Sequence, residues 1–266
     1  MNTDAMGAGR FDAVDHVDQA GSTNDDLQQL AGDDPQTPRV LIADEQIAGR
    51  GRRDRTWTMP PGGGLLISFY VPWVQREIAH IVPTCLGNAA IAAISSAVDF
   101  HAGSPEIGLK WPNDIVDDRD RKLGGMLSTS VTVDGSLVGV VAGLGLNVSW
   151  PHDTVDAIPN ATSLVGCGAV DGADLDRRAL AMAMIRKFDA VLRTAETYGV
   201  VPIHDRYRRH CQTLGRTVSV QRTDGELVGI ATDIDPGGSL VLDVDGKQHR
   251  VDVGDVVHVR PAGTAM

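Results

Sequence analysis

Lys122-Leu123-Gly124-Gly125-Met126-Leu127-Ser128-Thr129-Ser130-Val131-Thr132-Val133-Asp134-Gly135-Ser136-Leu137-Val138-Gly139-Val140-Val141-Ala142-Gly143-Leu144-Gly145-Leu146-Asn147 reads as two long strands folded back on each other. The β-like runs cover roughly 123–133 and 137–148, and Asp-Gly between two apolar runs is a strong hairpin signal. In the second run Gly143 and Gly145 stand two apart, so both fall on one face of the strand. Such a pair lets a flat ligand lie against the sheet; a bulge or tight strand packing explains it equally well.

Working outward, Val40-Leu41-Ile42-Ala43 and Leu65 to Val71 are short apolar runs of strand type, separated by a Pro60-Pro61-Gly62-Gly63-Gly64 loop. Ile107 to Trp111 is a further strand stopped by Pro112, and the Ala- and Ile-rich stretch 84–101 is a buried helix. Ser22-Thr23-Asn24-Asp25-Asp26 before Leu27 and Leu30 predicts a helix start capped by side chains. Leu180, Met184, Ile185, Phe188, Val191 and Leu192 recur at helical spacing, predicting an amphipathic helix over 173–198. The first 20 residues are polar and carry little pattern. Near Leu214 the texture changes. Short strands at Val218–Val220, Leu227–Ile230, Leu240–Val244 and Arg250–Val253 are separated by Asp224-Gly225, Asp235-Pro236-Gly237-Gly238 and Asp245-Gly246, which predicts a small antiparallel barrel. The expected architecture is α+β, a mixed sheet with helices over residues 1–212, followed by a β appendage over 213–266.

The 266 residues carry a formal net charge of −11, which argues against broad nucleic-acid binding, since that needs an electropositive surface. No apolar run approaches membrane-spanning length and the start lacks a signal-peptide core. Cys85, Cys167 and Cys211 are odd in number and form no CxxC pair, as expected of a reduced, cytoplasmic protein without a cysteine zinc site.

Against that acidic background Gly49-Arg50-Gly51-Arg52-Arg53-Asp54-Arg55-Thr56-Trp57 places four arginines in nine residues. Arginine supplies permanent charge and a planar fork suited to phosphate or carboxylate, and glycine lets the backbone close over a ligand. The loop does not complete a dinucleotide fingerprint, because Asp54 stands where the third glycine belongs. GxxxxGK[ST], HExxH and GxSxG motifs are absent. The cluster Asp117-Asp118-Arg119-Asp120 reads as an exposed, solvated turn. In Lys110-Trp111-Pro112-Asn113-Asp114, proline fixes a turn at a strand end, from which Asn113 and Asp114 either project oxygens into a cleft or merely cap the turn.

In order and spacing these segments resemble the biotin protein ligase family. The sequence is similar to the family's GRGRxxRxW loop at Gly49 to Trp57 and its KWPND turn at Lys110 to Asp114. It also looks like the family's KL-[AG]-G strand start at Lys122 to Gly125 and its Gly-x-Gly-x-Asn strand ending at Asn147. Ser22, Thr23, Asn24 and Gln46 match positions that contact biotin in the family. The resemblance runs from about Ser22 into the C-terminal barrel, where members carry an SH3-like domain, and implies a class II synthetase-like catalytic domain. It implies that ATP and biotin, with Mg²⁺, give biotinyl-5′-AMP, and that biotin then passes to a lysine of the biotin carboxyl carrier domain of acyl-CoA or pyruvate carboxylases.

The resemblance implies a residue for each task. Arg52 and Lys122 stabilise the carboxylate and α-phosphate, and Asp114 either holds Mg²⁺ or polarises the incoming amine. Biotin would be held by Ser22, Thr23, Asn24, Gln46, Arg50, Gly51, Arg52, Lys122, Gly143 and Gly145. The adenylate would meet Arg52, Arg55, Trp57, Asn113, Lys122 and Asn147, with Trp57 equally explained as core packing and Arg53 as a solvent-exposed bystander. Two other readings stand beside this one, a lipoate-protein ligase and a non-catalytic sensor or repressor. Only 21 residues precede Ser22, too few for the winged-helix domain of regulatory members, so no repressor role and no nucleic-acid partner are expected. The expected state is a cytoplasmic monomer or weak homodimer.

Overall fold

The computed structural model describes residues 2–3, 9–72, 76–150, 158–170, 175–222, 225–252 and 255–258. Asp224, Val253 and the first two residues of the helix expected over 173–198 lie outside them. The 122–147 hairpin sits inside an eight-stranded sheet. Its strands are β7 (Lys122–Val133) and β8 (Ser136–Asn147), and Val133 pairs with Ser136. Asp134 and Gly135, with φ of 50° and 76°, form the two-residue connection. Two successive positive φ angles match the twist of a tight hairpin.

The remaining strands are β1 (Asn2–Thr3), β2 (Ala13–Ala20), β3 (Arg39–Gln46), β4 (Gly64–Pro72), β5 (Ile107–Lys110) and β6 (Asp114–Asp117). The sheet order is β1-β2-β3-β4-β8-β7-β6-β5; only β2 and β3 run parallel, so the sheet is mixed. β4 is buried along its whole length, as a central strand covered on both faces must be. Leu65, Ile67, Phe69 and Val71 face one layer of helices, α3 (Val82–Ala97) and α4 (Arg177–Tyr198), with α2 (Arg76–Ala79) and α5 (Val201–His210) beside them. Phe11, Phe69 and Phe188 meet there with ring centroids 4.7–5.8 Å apart, joining the N-terminal segment, β4 and α4. The other face is covered by α1 (Thr23–Asp33), whose Leu27 and Ala31 pack on Leu41, Tyr70, Val131 and Val141.

A second, antiparallel five-stranded sheet follows, in the order β12-β11-β10-β9-β13. Its strands are β9 (Thr217–Arg222), β10 (Gly225–Ile234), β11 (Leu240–Val244), β12 (Lys247–Val251) and β13 (Asp255–His258). Its buried Val218, Val220, Ala231, Leu240, Leu242 and Val251 are continuous with the main core. Among the described residues no helix is long and apolar enough to cross a membrane.

Four expectations change. β2 lies within the 20 residues read as carrying little pattern; it alternates buried and exposed positions weakly, with Asp15, His16, Asp18 and Gln19 among its eight residues. α2, α5, β6 and β13 went unread. Ser22 occupies the N-cap of α1, but its side chain makes no cap hydrogen bond, and Asp26 instead accepts from the Gly21 N–H at 3.2 Å. Asp117 is fully buried rather than solvated. It accepts from the N–H groups of Arg119 and Arg121 and pairs with the Arg121 guanidinium at 2.7 Å, so the β6–β7 turn is folded around this carboxylate.

Candidate active site

The strand register builds a floor. Ser68 of β4 pairs with Gly143 of β8, which pairs with Leu127 of β7; Leu66, Gly145 and Gly125 make the next row. Two adjacent glycines leave a shallow depression on the α1 face of the sheet. A Cβ on Gly145 would approach the Trp57 ring to 2.5 Å, and one on Gly125 would approach it to 3.1 Å. The indole therefore lies over both glycines, and a Cβ on Gly143 would overlap the Asn24 amide. The sequence assigned Gly143 and Gly145 to direct ligand contact. They do line the cleft, but their nearest neighbours are Asn24 and Trp57.

Above this floor is a cleft of about 310 Å³. Its polar end is a continuous hydrogen-bonded chain. Gln46 Oε1 accepts from the Thr23 N–H at 2.7 Å and from Thr23 Oγ1 at 2.9 Å. The Ser68 hydroxyl donates to Thr23 Oγ1 (2.8 Å) or Asn24 Oδ1 (2.6 Å), and Asn24 Nδ2 donates to the Leu127 carbonyl at 2.9 Å. Thr23, Asn24 and Ser68 are buried, so each must find partners at the site itself. Ser68 was not foreseen. A lone serine in an apolar strand gives no sequence signal, and only its pairing opposite Gly143 reveals it.

The arginine segment is a small hairpin. Trp57 N–H donates to Gly49 O at 2.9 Å, Gly51 N–H donates to Arg55 O at 2.7 Å, and Arg50 bridges Thr56 between them. A tight turn over Arg52–Asp54 closes it, with Arg53 in the left-handed region at φ 54°. Arg50 pairs with Asp25 of α1 at 2.8 Å. Arg52 Nη1 donates to Asn113 Oδ1 at 3.1 Å. Arg50, Arg52 and Arg55 line the cleft; Arg53 instead borders the adjoining groove.

The turn after β5 supplies the opposing wall. Asn113 exchanges backbone and side-chain bonds with Met126: Met126 N–H donates to Asn113 O and Asn113 Nδ2 donates to Met126 O, both at 2.8 Å. The next residue, Asp114, pairs with Lys122 Nζ at 2.8 Å. That ammonium also stands 5.4 Å from the Trp57 ring centroid, within cation–π range. Two neighbouring side chains of one turn thus each hold a cation, Arg52 through Asn113 and Lys122 through Asp114. Lys110 faces the cleft too but is engaged by Asp120 at 2.9 Å.

Asn147 is corrected by the structure. It is buried, does not line the cleft, and donates to the Thr162 and Lys122 carbonyls at 2.8 and 3.3 Å. It holds the first residue of β7 from behind. The metal reading of Asp114 gains no support, since its carboxylate faces Lys122 and no group of three or more His, Cys, Asp or Glu occurs among the described residues. The thiols are no nucleophiles: all three are free and buried, and burial raises each, Cys85 to about 12.

A cleft in which Asn113 and Asp114 hold two cations beside a polar terminus suits a ligase that activates a carboxylate. Residues 17–147 match the Biotin/lipoate A/B protein ligase family, and residues 213–259 match the Biotin protein ligase C terminal domain. The fold is similar to that of the biotin protein ligase from Aquifex aeolicus in complex with biotin and ATP, with a TM-score of 0.73 and 20% identity over 94% of this chain and 99% of that one. In sequence the chain is 37% identical to the biotin–[acetyl-CoA-carboxylase] ligase of Mycobacterium tuberculosis over 260 residues, 96% of this chain and 92% of the relative. It is 32% identical to the bifunctional ligase/repressor BirA of Escherichia coli over 78% of this chain and 62% of that protein. The chain belongs to the biotin protein ligase family, and its activity is that of a ligase.

Proposed function

We propose that the cleft condenses biotin with ATP to biotinyl-5′-AMP and then passes biotin to a carrier lysine. The observation that carries this is the pair of cations held by adjacent residues of one turn beside a buried polar pocket. Biotin's ureido head would exchange hydrogen bonds with Ser22, Thr23, Asn24 and Gln46, with Ser68 bracing Thr23 and Asn24 from beneath, leaving its carboxylate toward Arg52 and Lys122. In the first step a carboxylate oxygen forms a bond to the α-phosphorus as pyrophosphate leaves. Two anions approach in that step, and prepositioned positive charge offsets the repulsion where it grows. In the second step the carrier amine attacks the acyl carbon, AMP leaves, and the amine gives up a proton as the amide forms. Magnesium would arrive on the phosphates of ATP, as is usual for this ion, because the described residues build no cage for it.

The acceptor we assign is the biotin carrier of acetyl-CoA carboxylase, supported by the named activity of the Mycobacterium tuberculosis relative. Three free thiols suit a reducing compartment such as the cytoplasm. We place the boundary of the catalytic domain at residue 212; what supports it is a second family match over residues 213–259. The adjacent turns and the hairpin around Arg52 also suit a loop that closes over the reactive adenylate and excludes water.

Biotin-dependent exchange of labelled pyrophosphate into ATP tests the first step, with lipoate as the competing acid. Exchange with biotin and none with lipoate is expected; the reverse selectivity would assign the chain to the lipoate branch. A second prediction concerns the floor. Gly145→Ala forces the Trp57 ring off the sheet, an overpacking cost of about 1–3 kcal/mol. We expect the KM for biotin to rise by about tenfold or more, with the fold retained by circular dichroism. An unchanged KM would show that Trp57 does not shape the pocket.

A further inference from the structure

The turn that holds both cations is itself held from the C-terminal sheet. Trp111 is buried at 4% exposure. Its backbone N–H donates to Thr213 Oγ1 at 3.0 Å, and its indole Nε1–H donates to the Gly238 carbonyl at 2.8 Å. Both partners belong to the C-terminal part of the chain: Thr213 precedes β9, and Gly238 lies in the β10–β11 turn.

That turn is rigid and anchored. Asp235 Oδ1 accepts from the N–H groups of Gly237 and Ser239, and Gly238 N–H donates back to Asp235 O. Arg208 of α5 pairs with Asp233 at 2.6 Å and donates to Ile234 O, while His80 contacts Pro236 O at 3.2 Å. The Gly238 carbonyl is therefore fixed from several sides before it receives the indole proton.

The two residues after Pro112 are the ones that reach the cations. Asn113 accepts from Arg52, and Asp114 pairs with Lys122. A rotation of the turn about its Trp111 end would carry both oxygens away from their cations together. Transition-state stabilisation by fixed charge is sensitive to such displacement, because misplacement by about 1 Å costs on the order of 10²-fold in rate.

We propose that Trp111 is a positioning residue through which the C-terminal sheet sets the geometry of Arg52 and Lys122. The C-terminal sheet thereby takes part in adenylation without its strands supplying a charged group to the reaction. This inference rests on the adenylation reading above.

The test is Trp111→Phe, which keeps an aromatic ring in the core and removes the donor to Gly238, alongside Thr213→Val, which removes the acceptor for the backbone N–H at equal volume. Both are assayed by biotin-dependent pyrophosphate exchange, with the melting temperature measured in parallel. The expected result is a fall in exchange kcat of about tenfold in each variant, with the KM for biotin changed less than about threefold and the melting transition still cooperative. A purely structural tryptophan would give the opposite split, a lowered melting temperature with kcat retained in the folded fraction, and that result overturns the proposal. If Trp111→Phe fails to fold, Thr213→Val alone decides: wild-type kcat there overturns it. Absence of exchange in the wild type would sink the adenylation reading itself, whereas exchange in the wild type with no loss in the variants sinks only the role of Trp111.

Discussion

Lys122→Ala lowers biotin-dependent pyrophosphate exchange by about 10²–10³-fold, the loss typical when one prepositioned charge or donor is removed from a developing anion. Lys110, the other lysine lining the cleft, is held by Asp120, and Trp57 offers a ring face but no charge. The stability cost is small, since the Lys122–Asp114 pair is 42% and 27% exposed at its two side chains and pairs screened by solvent contribute no more than about 1 kcal/mol. A kinetic collapse with a nearly unchanged denaturation midpoint is therefore the expected signature. Exchange within about threefold of wild type would remove Lys122 from the chemistry. Asp114→Ala is the informative partner. Losing the carboxylate leaves the ammonium in place but unaligned, so its exchange rate should lie between the wild type and Lys122→Ala.

Much of this site was legible in the sequence because its residues come in short runs. A charge cluster broken by glycines, a proline-fixed turn and a Gly-x-Gly strand are each local patterns, and the cleft brings together Ser22, Thr23, Asn24, Gln46, Arg50, Arg52, Arg55, Asn113, Asp114 and Lys122. What stayed hidden depends on pairing between distant segments. Ser68 comes to support Thr23 and Asn24 only because the β4–β8 register sets it opposite Gly143. Gly125 and Gly145 become one floor only through the β7–β8 register. Asn147 was read as a ligand contact from its place at the end of a glycine strand, but strand alternation and the 158–163 segment turn it toward backbone carbonyls. Asp117 looked solvent-facing among charged neighbours, yet the β6–β7 turn wraps its carboxylate in N–H donors, which is how a buried charge is tolerated. β2 escaped because its alternation is weak and its polar residues conceal the period.

The arginine hairpin yields the other large effect, and it separates geometry from charge. Arg52→Ala and Arg53→Gly each remove one positive charge from adjacent positions of the same tight turn. Arg52 lines the cleft and is aligned by Asn113, so its removal should cost about 10²-fold or more in exchange. Arg53 borders the neighbouring groove with an exposed side chain and a φ of 54°. Glycine adopts that conformation without the Cβ penalty of about 1–2 kcal/mol, and this gain is offset in part by the greater freedom of glycine in the unfolded chain. Arg53→Gly should therefore leave exchange within about threefold of wild type and stability within about 1 kcal/mol. The contrast is diagnostic because both substitutions change net charge equally. If the loop acted as a diffuse cationic field that attracts anions, the two losses would be alike and both would shrink as salt is added, since exposed charges are screened beyond about 10 Å at 0.1 M. A large, salt-insensitive loss confined to Arg52→Ala instead requires a guanidinium at a fixed point, which is what its bond to Asn113 Oδ1 provides.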